Sequence, residues 1–240
     1  MDAYAADLHV HTALSPCASA EMTPPAIVRE AVRRGLAVVA ICDHNSARNT
    51  RAVREAAGGR LLVVAGIEIT TAEEVHVLGL FPDDGRAEAM GRIVGDALIA
   101  SRYPVRPTRQ SVMNADGATV GSESATLASA CSLPLSQIAA LIAGQGGLVV
   151  AAHADRPSFS VLSQLGFFPA GVRFDAIEVS CRPGGGWGAV PEGVPLIASS
   201  DSHGLAGIGS RFTVFEVHEA TFKELGLALT ATGGRRCWIA

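Results

Sequence analysis

Apolar residues along this chain come in short, unbroken runs. The clearest are 37–42 (AVVAIC), 61–65 (LLVVA), 148–152 (LVVAA), 175–179 (DAIEV) and 195–198 (PLIA). Two more flank histidines, at 7–11 and 75–81. Runs of this length without polar alternation predict strands buried on both faces, as in parallel sheets. Helix signals fall between them. Thr23 can cap a helix that begins with Pro24 and Pro25 and ends before Gly35. A second covers 135–143, after Ser132 and Pro134 and before Gly144. Thr221 opens a third, with Glu224 three residues on as a capping box. The alternation predicts an α/β fold with right-handed crossovers. A closed or distorted barrel is favoured over an open sheet, because the polar residues gather at strand ends. The stretch 102–134 is poor in helix signal and holds Asn114-Ala115-Asp116-Gly117, a hairpin turn between Val112 and Val120. It is expected to be an excursion from one barrel domain spanning 1–240. The glycines at 184–186 lack phosphate-loop spacing and are expected to form a flexible connection.

Composition narrows the class. With 240 residues, 48% of them hydrophobic, the chain can bury one large core. A net charge of −4, with Lys223 the only lysine, makes long nucleic acid an unexpected partner. The apolar runs are far shorter than the ~20 residues that cross a bilayer. The first residues lack the basic start and apolar stretch of a signal peptide. Five scattered cysteines without a CxxC pair fit a reducing, cytoplasmic setting better than a disulfide framework.

The candidate chemistry sits where the runs stop. His9 and His11 close the first run, Asp43 and His44 follow 37–42, and Glu68 follows 61–67. His76 opens the run to Phe81, His153 follows 148–152, and Asp201 and His203 follow 195–200. In a strand, residues i and i+2 share a face, so His9 with His11, and Asp201 with His203, can aim paired ligands at one centre. Parallel barrels gather such groups at the C-terminal rim of their strands. Six of the seven histidines sit at the edges of apolar runs, in company with Glu68 and Asp201. A shared metal centre accounts for all of them at once. The exception, His218, has no ligand partner nearby and is expected to be structural.

These residues resemble the PHP (polymerase and histidinol phosphatase) domain family. The shared features are the HxH opening in DLHVHT at 7–12, the Asp43-His44 pair, Glu68 in GIEI at 66–69, the isolated His76 and His153, and the closing DSH at 201–203. The resemblance implies a distorted (β/α)7 TIM-like barrel with its active site at the C-terminal strand ends, two or three divalent metal ions (Zn, Mn or Fe) and phosphoester hydrolysis. It implies that His9, His11, Glu68 and Asp201 hold one metal, that Glu68 bridges to a second completed by His76 and His153, and that His44 and His203 hold a third. The pattern departs at that third position. Family members usually carry His or Asp five or six residues after the HxH, where this chain has Pro16 and Cys17. Cys17 is either a thiolate ligand, favouring a borderline-soft metal, or a buried loop thiol. Cys42 reads as a small core residue, and Cys181 lies at a strand end from which the site is in reach.

Other roles stay open at this level. Asp43 can orient an imidazole N–H, accept a proton in catalysis, or cap the following segment. Arg156, three residues past His153, can clamp phosphate or pair with neighbouring Asp155; Arg48 and Arg211 are weaker candidates. The expected substrate is a small phosphorylated metabolite or nucleotide. Two other readings use the same residues: an amide hydrolase of the amidohydrolase type, which often bridges its metals with a carbamylated lysine, and a metal-binding module without turnover. Lys223, in the predicted last helix, is far along the chain from any ligand-bearing strand, which favours Glu68 as the bridge.

Overall fold

The computed structural model describes residues 1–99, 110–180 and 190–240. In chain order the elements are β1 (Asp2–Val10), α1 (Pro24–Arg33), β2 (Val38–Ile41), α2 (Thr50–Ala57), β3 (Leu62–Thr70), β4 (His76–Phe81), α3 (Asp84–Asp96), β5 (Ser111–Met113) and β6 (Thr119–Ser122). Then come α4 (Leu135–Gly144), β7 (Leu148–Ala151), α5 (Val161–Leu165), β8 (Ala176–Glu178), β9 (Leu196–Ile197), β10 (Thr213–Val217), α6 (Phe222–Leu229) and β11 (Arg236–Ile239). Nine strands form one sheet in the order β11-β10-β1-β2-β3-β4-β7-β8-β9, and the edge strands β9 and β11 approach each other, so the sheet nearly closes. β5 and β6 make the separate hairpin that the Asn114–Gly117 turn predicts. Residues 102–109, the glycines at 184–186 and Cys181 lie outside the described residues. No described helix is long and apolar enough to cross a membrane.

The continuous apolar runs have a direct cause: both faces of the strands are covered. Val38, Ala40, Val64, Leu78, Val150, Ala176 and Phe215 pack into the barrel interior. Val39, Ile41 and Val63 turn outward under α1 and α2, against Ile27, Val28 and Val53. Ile67, Val77 and Val149 turn outward under α3 and α4, against Met90, Val94 and Ile138. Fully burying such side chains stabilises the fold by roughly 1.5–3 kcal/mol each.

The sheet is mixed, which corrects the expectation of a parallel one. β1, β2 and β3 run parallel to one another, as do β7, β8 and β9. β4 runs antiparallel to both neighbours, β3 and β7. Its apolar run reads the same in either direction, so the sequence does not reveal the reversal. The reversal matters for the site. β4 starts at the rim where its neighbours end, so His76, its first residue, stands level with ligands at the C-terminal ends of parallel strands. β10 is antiparallel to β1, with Val217 opposite Asp2. His218 therefore lies at the opposite rim, exposed, with its backbone N–H on Glu224.

The helix signals are borne out with adjustments. Thr23 precedes α1 but makes no side-chain cap bond. Thr221 accepts from the Glu224 N–H, while the Glu224 carboxylate takes Arg235 instead of reaching back. The helices α2, α3 and α5 are additions to the sequence reading; α3, at 13 residues, is capped by the Asp83 carboxylate, which accepts the Arg86 N–H.

Gly66 sets the spacing of β2 and β3 just below the site. A Cβ there would come within 2.5 Å of Cys42 Sγ and 2.8 Å of the Ile41 carbonyl. Gly66→Ala should therefore lower the thermal unfolding midpoint, by about 1–3 kcal/mol of overpacking. An unchanged midpoint would show that β2 can move aside.

Candidate metal centre

Side chains from six strand ends converge on one buried point. Asp7 fixes the first of them. Its carboxylate accepts the Ser200 and Gly209 N–H groups at 2.9 Å each, tying the 200–209 segment to β1. The His11 N–H then donates to the Ser202 carbonyl at 3.0 Å, and Ser202 N–H to the His9 carbonyl at 3.3 Å. This places Asp201 and His203 beside the HxH pair. On the other side, the Glu68 N–H donates to the Asp43 carbonyl and the Asn45 N–H to the Glu68 carbonyl. His44 is thereby pinned next to Glu68.

The Glu68 carboxylate is the hub. Its oxygens lie 2.8 Å from His76 Nδ1, 2.9 Å from His44 Nδ1, 3.2 Å from His153 Nε2, 3.4 Å from His11 Nε2 and 3.5 Å from His9 Nε2. Glu68 is 1% exposed. Burial pushes its carboxyl up, and the imidazoles of His76, His44 and His9 more than reverse this, holding it well below the usual range. Burial pushes His11 down to about 3, so that ring stays neutral. Burial also lowers His44, but the Glu68 charge and Cys17 outweigh it and raise this ring to about 10. Asp201 Oδ1 completes a four-atom group, 3.0 Å from His11 Nε2 and 3.4 Å from His9 Nε2, and those two nitrogens are 3.2 Å apart.

These separations fit cations. With bonds of roughly 2.0–2.2 Å to nitrogen and oxygen, neighbouring ligand atoms around one ion lie about 3.0–3.4 Å apart. His9, His11, Glu68 and Asp201 form one such group of ligand atoms, His44, Glu68 and His76 a second, and His11, His44 and His203 a third. His76, His153 and Glu68 are also mutually close, at 2.8, 3.2 and 3.3 Å. His44 Nδ1 and Glu68 Oε2, though 2.9 Å apart, make no hydrogen bond of acceptable geometry and are buried without a partner, as is His153 Nδ1. Buried polar atoms are ordinarily satisfied. His44 Nδ1 and Glu68 Oε2 face the common centre, as ligand atoms would, while His153 turns Nε2 toward it and leaves its orphan Nδ1 on the far side of the ring.

The surrounding hydrogen bonds fix which nitrogen each ring offers. His9 Nδ1 donates to both oxygens of Glu178, at 3.1 and 3.2 Å. The Ser15 hydroxyl donates to Asp43 at 2.6 Å, so its oxygen must accept from His11 Nδ1 at 2.9 Å, and it also accepts the His44 N–H at 3.1 Å. His203 Nδ1 donates to the Asp201 carbonyl at 2.9 Å. All three rings thus turn a bare Nε2 inward. Such outer partners commonly set tautomer and ligand basicity.

Asp43 is fully buried, taking the Thr12 N–H and hydroxyl at 2.7 Å each as well as Ser15. It sits behind His11, as the source of that ring's orientation through Ser15, away from where substrate could reach it. Cys17 is exposed at the rim. Burial pushes its thiol up, but the His203 and His44 rings beside it bring it down to about 7. Cys42 is fully buried in the core. Arg156 bonds Asp201 and, at 3.0 Å, the Ser180 hydroxyl. The expected neighbour Asp155 accepts the Ser180 N–H. Arg48 is held by Glu123 at 2.9 Å.

Sequence reasoning passed over Glu178, Asp7, Thr12 and Ser15. Glu178 carried a readable signal, a lone carboxylate in an otherwise apolar strand, the same signal as Glu68. It also accepts the His153 N–H at 3.0 Å. Backbone strain gathers here too: His153 (φ 28°), Asp201 (φ 49°) and Asn45 (φ 51°) are left-handed non-glycine residues, a costly state that tends to persist at functional sites. A pocket of about 170 Å³ opens onto the cluster, lined by His44, Glu68, His76, His153, Arg156, Ser158, Phe159, Asp201 and His203.

A barrel that converges histidines and carboxylates on one buried cluster able to hold metal ions defines a class of protein, and comparison with known proteins gives its family. The PHP domain family matches residues 7–131, and the chain belongs to that family. Residues in a 117-residue stretch are 30% identical to the 5′-3′ exoribonuclease Rnm of Salmonella typhimurium, covering 41% of this chain and 39% of that protein. The chain thus spans well under half the length of this curated relative. The fold is similar to the lesion-specific endonuclease PfuEndoQ of Pyrococcus furiosus (TM-score 0.75, 20% identity, 98% of this chain and 58% of that one). It is also similar to PsfC of Pseudomonas syringae (TM-score 0.55, 15% identity, 100% and 93%).

Ser15→Ala removes the acceptor that orients His11. It should weaken metal affinity about 10–100-fold, measured by titration against a competing chelator, while His218→Asn leaves affinity unchanged. Equal affinities for wild type and Ser15→Ala would detach this hydrogen-bond chain from the site.

Proposed function

We propose that the chain is a metal-dependent phosphoester hydrolase working with two or three divalent ions. The observation that carries this is one buried carboxylate, Glu68, within 3.5 Å of five imidazoles. His9, His11, Glu68 and Asp201 are assigned to one ion; Glu68, His76 and His153 to a second; His44, His203 and Cys17 to a third. The thiolate favours zinc or iron at that last position. The one sheet shared by all described regions supports reading 1–240 as a single barrel domain with the β5–β6 hairpin as its excursion. Bound ions at these positions would acidify water, polarise phosphoryl oxygens and steady the leaving oxygen.

The chain's own residues supply the rest. Glu178, Ser15 and the Asp201 carbonyl hold three rings with lone pairs inward. Arg156 keeps Asp201 turned toward the histidines and leaves part of its guanidinium in the pocket, with the side chain 38% exposed. A phosphate entering there meets donors suited to its non-bridging oxygens. Lys223 is exposed on α6, so the amidohydrolase alternative lacks its lysine bridge. The expectation that long nucleic acid is an unlikely partner is in tension with the similar proteins named as an exoribonuclease and an endonuclease. A nucleotide or nucleic-acid end is therefore set beside small phosphorylated metabolites as substrate. Elemental analysis of the purified protein, followed by a panel of phosphoesters with added zinc, manganese or iron, tests the reading. Two or more equivalents of metal and metal-dependent turnover are expected; metal without turnover of any phosphoester would favour the binding-module alternative.

Glu68→Gln keeps the shape and removes the charge that neighbouring cations would share. It should lose at least one equivalent of metal and nearly all turnover, and a fully metallated, fully active variant would refute the bridge.

Arg156→Ala removes charge-assisted bonds worth roughly 1.5–3 kcal/mol, so turnover should fall about tenfold to hundredfold. Arg156→Lys should recover only part, because a point charge cannot reproduce the guanidinium fork. Metal content measured in parallel separates lost phosphate contact from lost support of Asp201. Unchanged kinetics would remove Arg156 from the site.

A further inference from the structure

Among the described residues, Phe159 is the one apolar side chain lining the pocket over the cluster. It is also oddly built. Its backbone is left-handed at φ 55°, a conformation that bulky side chains rarely adopt. The surrounding turn maintains that state. The His76 N–H donates to the Phe159 carbonyl at 2.8 Å. Ser160, the next residue, caps α5 and donates its hydroxyl to the Arg156 carbonyl at 2.8 Å. The ring lies stacked on His76, with centroids 4.7 Å apart and planes 18° from parallel. One face is thereby used. The residue nevertheless stays 40% exposed at the mouth of a polar site.

Pocket size explains what an open aromatic face could serve. About 170 Å³ is well below the roughly 300–1,000 Å³ of sites that enclose a whole organic ligand. A phosphate can enter, and the organic group attached to it must rest on the rim. On the Arg156 side of that rim, among the described residues, Phe159 offers a flat apolar ring, already aligned with His76. Aromatic rings accept bases face to face whatever their identity.

We infer that Phe159 is a stacking platform for a nucleobase attached next to the phosphate held at the metal centre. The inference rests on the phosphoesterase reading and narrows its substrate class to nucleotides or nucleic-acid ends. Strain at Phe159 then has a purpose: it presents the ring at an angle a relaxed backbone would not give.

The test is equilibrium binding by calorimetry to the metal-loaded protein, using uncleavable phosphonate analogues of AMP and of ribose 5-phosphate. Wild type should bind the adenine-bearing analogue about tenfold or more tightly. Phe159→Ala should bring the two affinities together, and Phe159→Trp should preserve the preference. Phe159→Leu keeps apolar packing on His76 but lacks a π face; it should also lose the preference, and serves if the alanine variant does not fold. Equal affinities in wild type, or a preference that survives both Phe159→Ala and Phe159→Leu, would overturn the inference. So would equal weakening of both analogues, which would make Phe159 a prop for His76. Hydrolysis of p-nitrophenyl phosphate by wild type reports separately on the chemistry. Turnover without base preference overturns the platform alone, and base preference without turnover overturns the hydrolase reading alone.

Discussion

The Glu68 carboxylate, sealed among imidazoles at one end of the barrel, is the constraint on which the rest of the site depends. A lone buried charge is costly, and a ring of neutral histidines is poor compensation. Protons can hold such a cluster together in part, which is why His9 and His44 are pushed up while His11 is pushed down. Cations can hold it together fully. The barrel brings six strand ends to one rim, Gly66 lets β2 and β3 close beneath it, and the reversed β4 contributes its first residue where its neighbours contribute their last.

Around this hub lies a layer that assigns direction. Asp43 fixes the Ser15 hydroxyl, Ser15 fixes His11, Glu178 fixes His9, and the Asp201 carbonyl fixes His203. Each link leaves a lone pair pointing inward. Asp7 performs the same service for backbone, holding the 200–209 segment against β1. Left-handed residues at Asn45, His153, Phe159 and Asp201 show how much local strain this convergence involves.

Much of the site was legible because strand parity is a strong rule. His9 with His11 needed only the two-residue period, and the remaining ligands needed only their position at the edge of an apolar run. Strand direction is not legible, since a run covered on both faces has no polarity; the reversal of β4, which brings His76 to the rim, appears only in the fold. Glu178 carries the same signal in sequence as Glu68, and only its contacts with His9 and His153 in the fold separate its supporting role from that of a ligand. The partner of Arg156 was sought in the adjacent Asp155, whereas the fold supplies Asp201 from 45 residues away. Asp43 looked exposed to chemistry in sequence, but its partners Thr12 and Ser15 come from another strand end. An aromatic in a loop such as Phe159 gives no sequence signal at all, because its meaning lies in a backbone angle and a stacked neighbour.

Anomalous diffraction from crystals grown with zinc, recorded on both sides of the zinc edge, tests the central claim most directly. The account predicts at least two anomalous peaks flanking Glu68, about 3.5–4 Å apart as in sites where two metals share a phosphoryl group, with His9, His11 and Asp201 around one and His76 and His153 around the other. A cluster with no peak, or a single peak to which Glu68 is not a ligand, would contradict it.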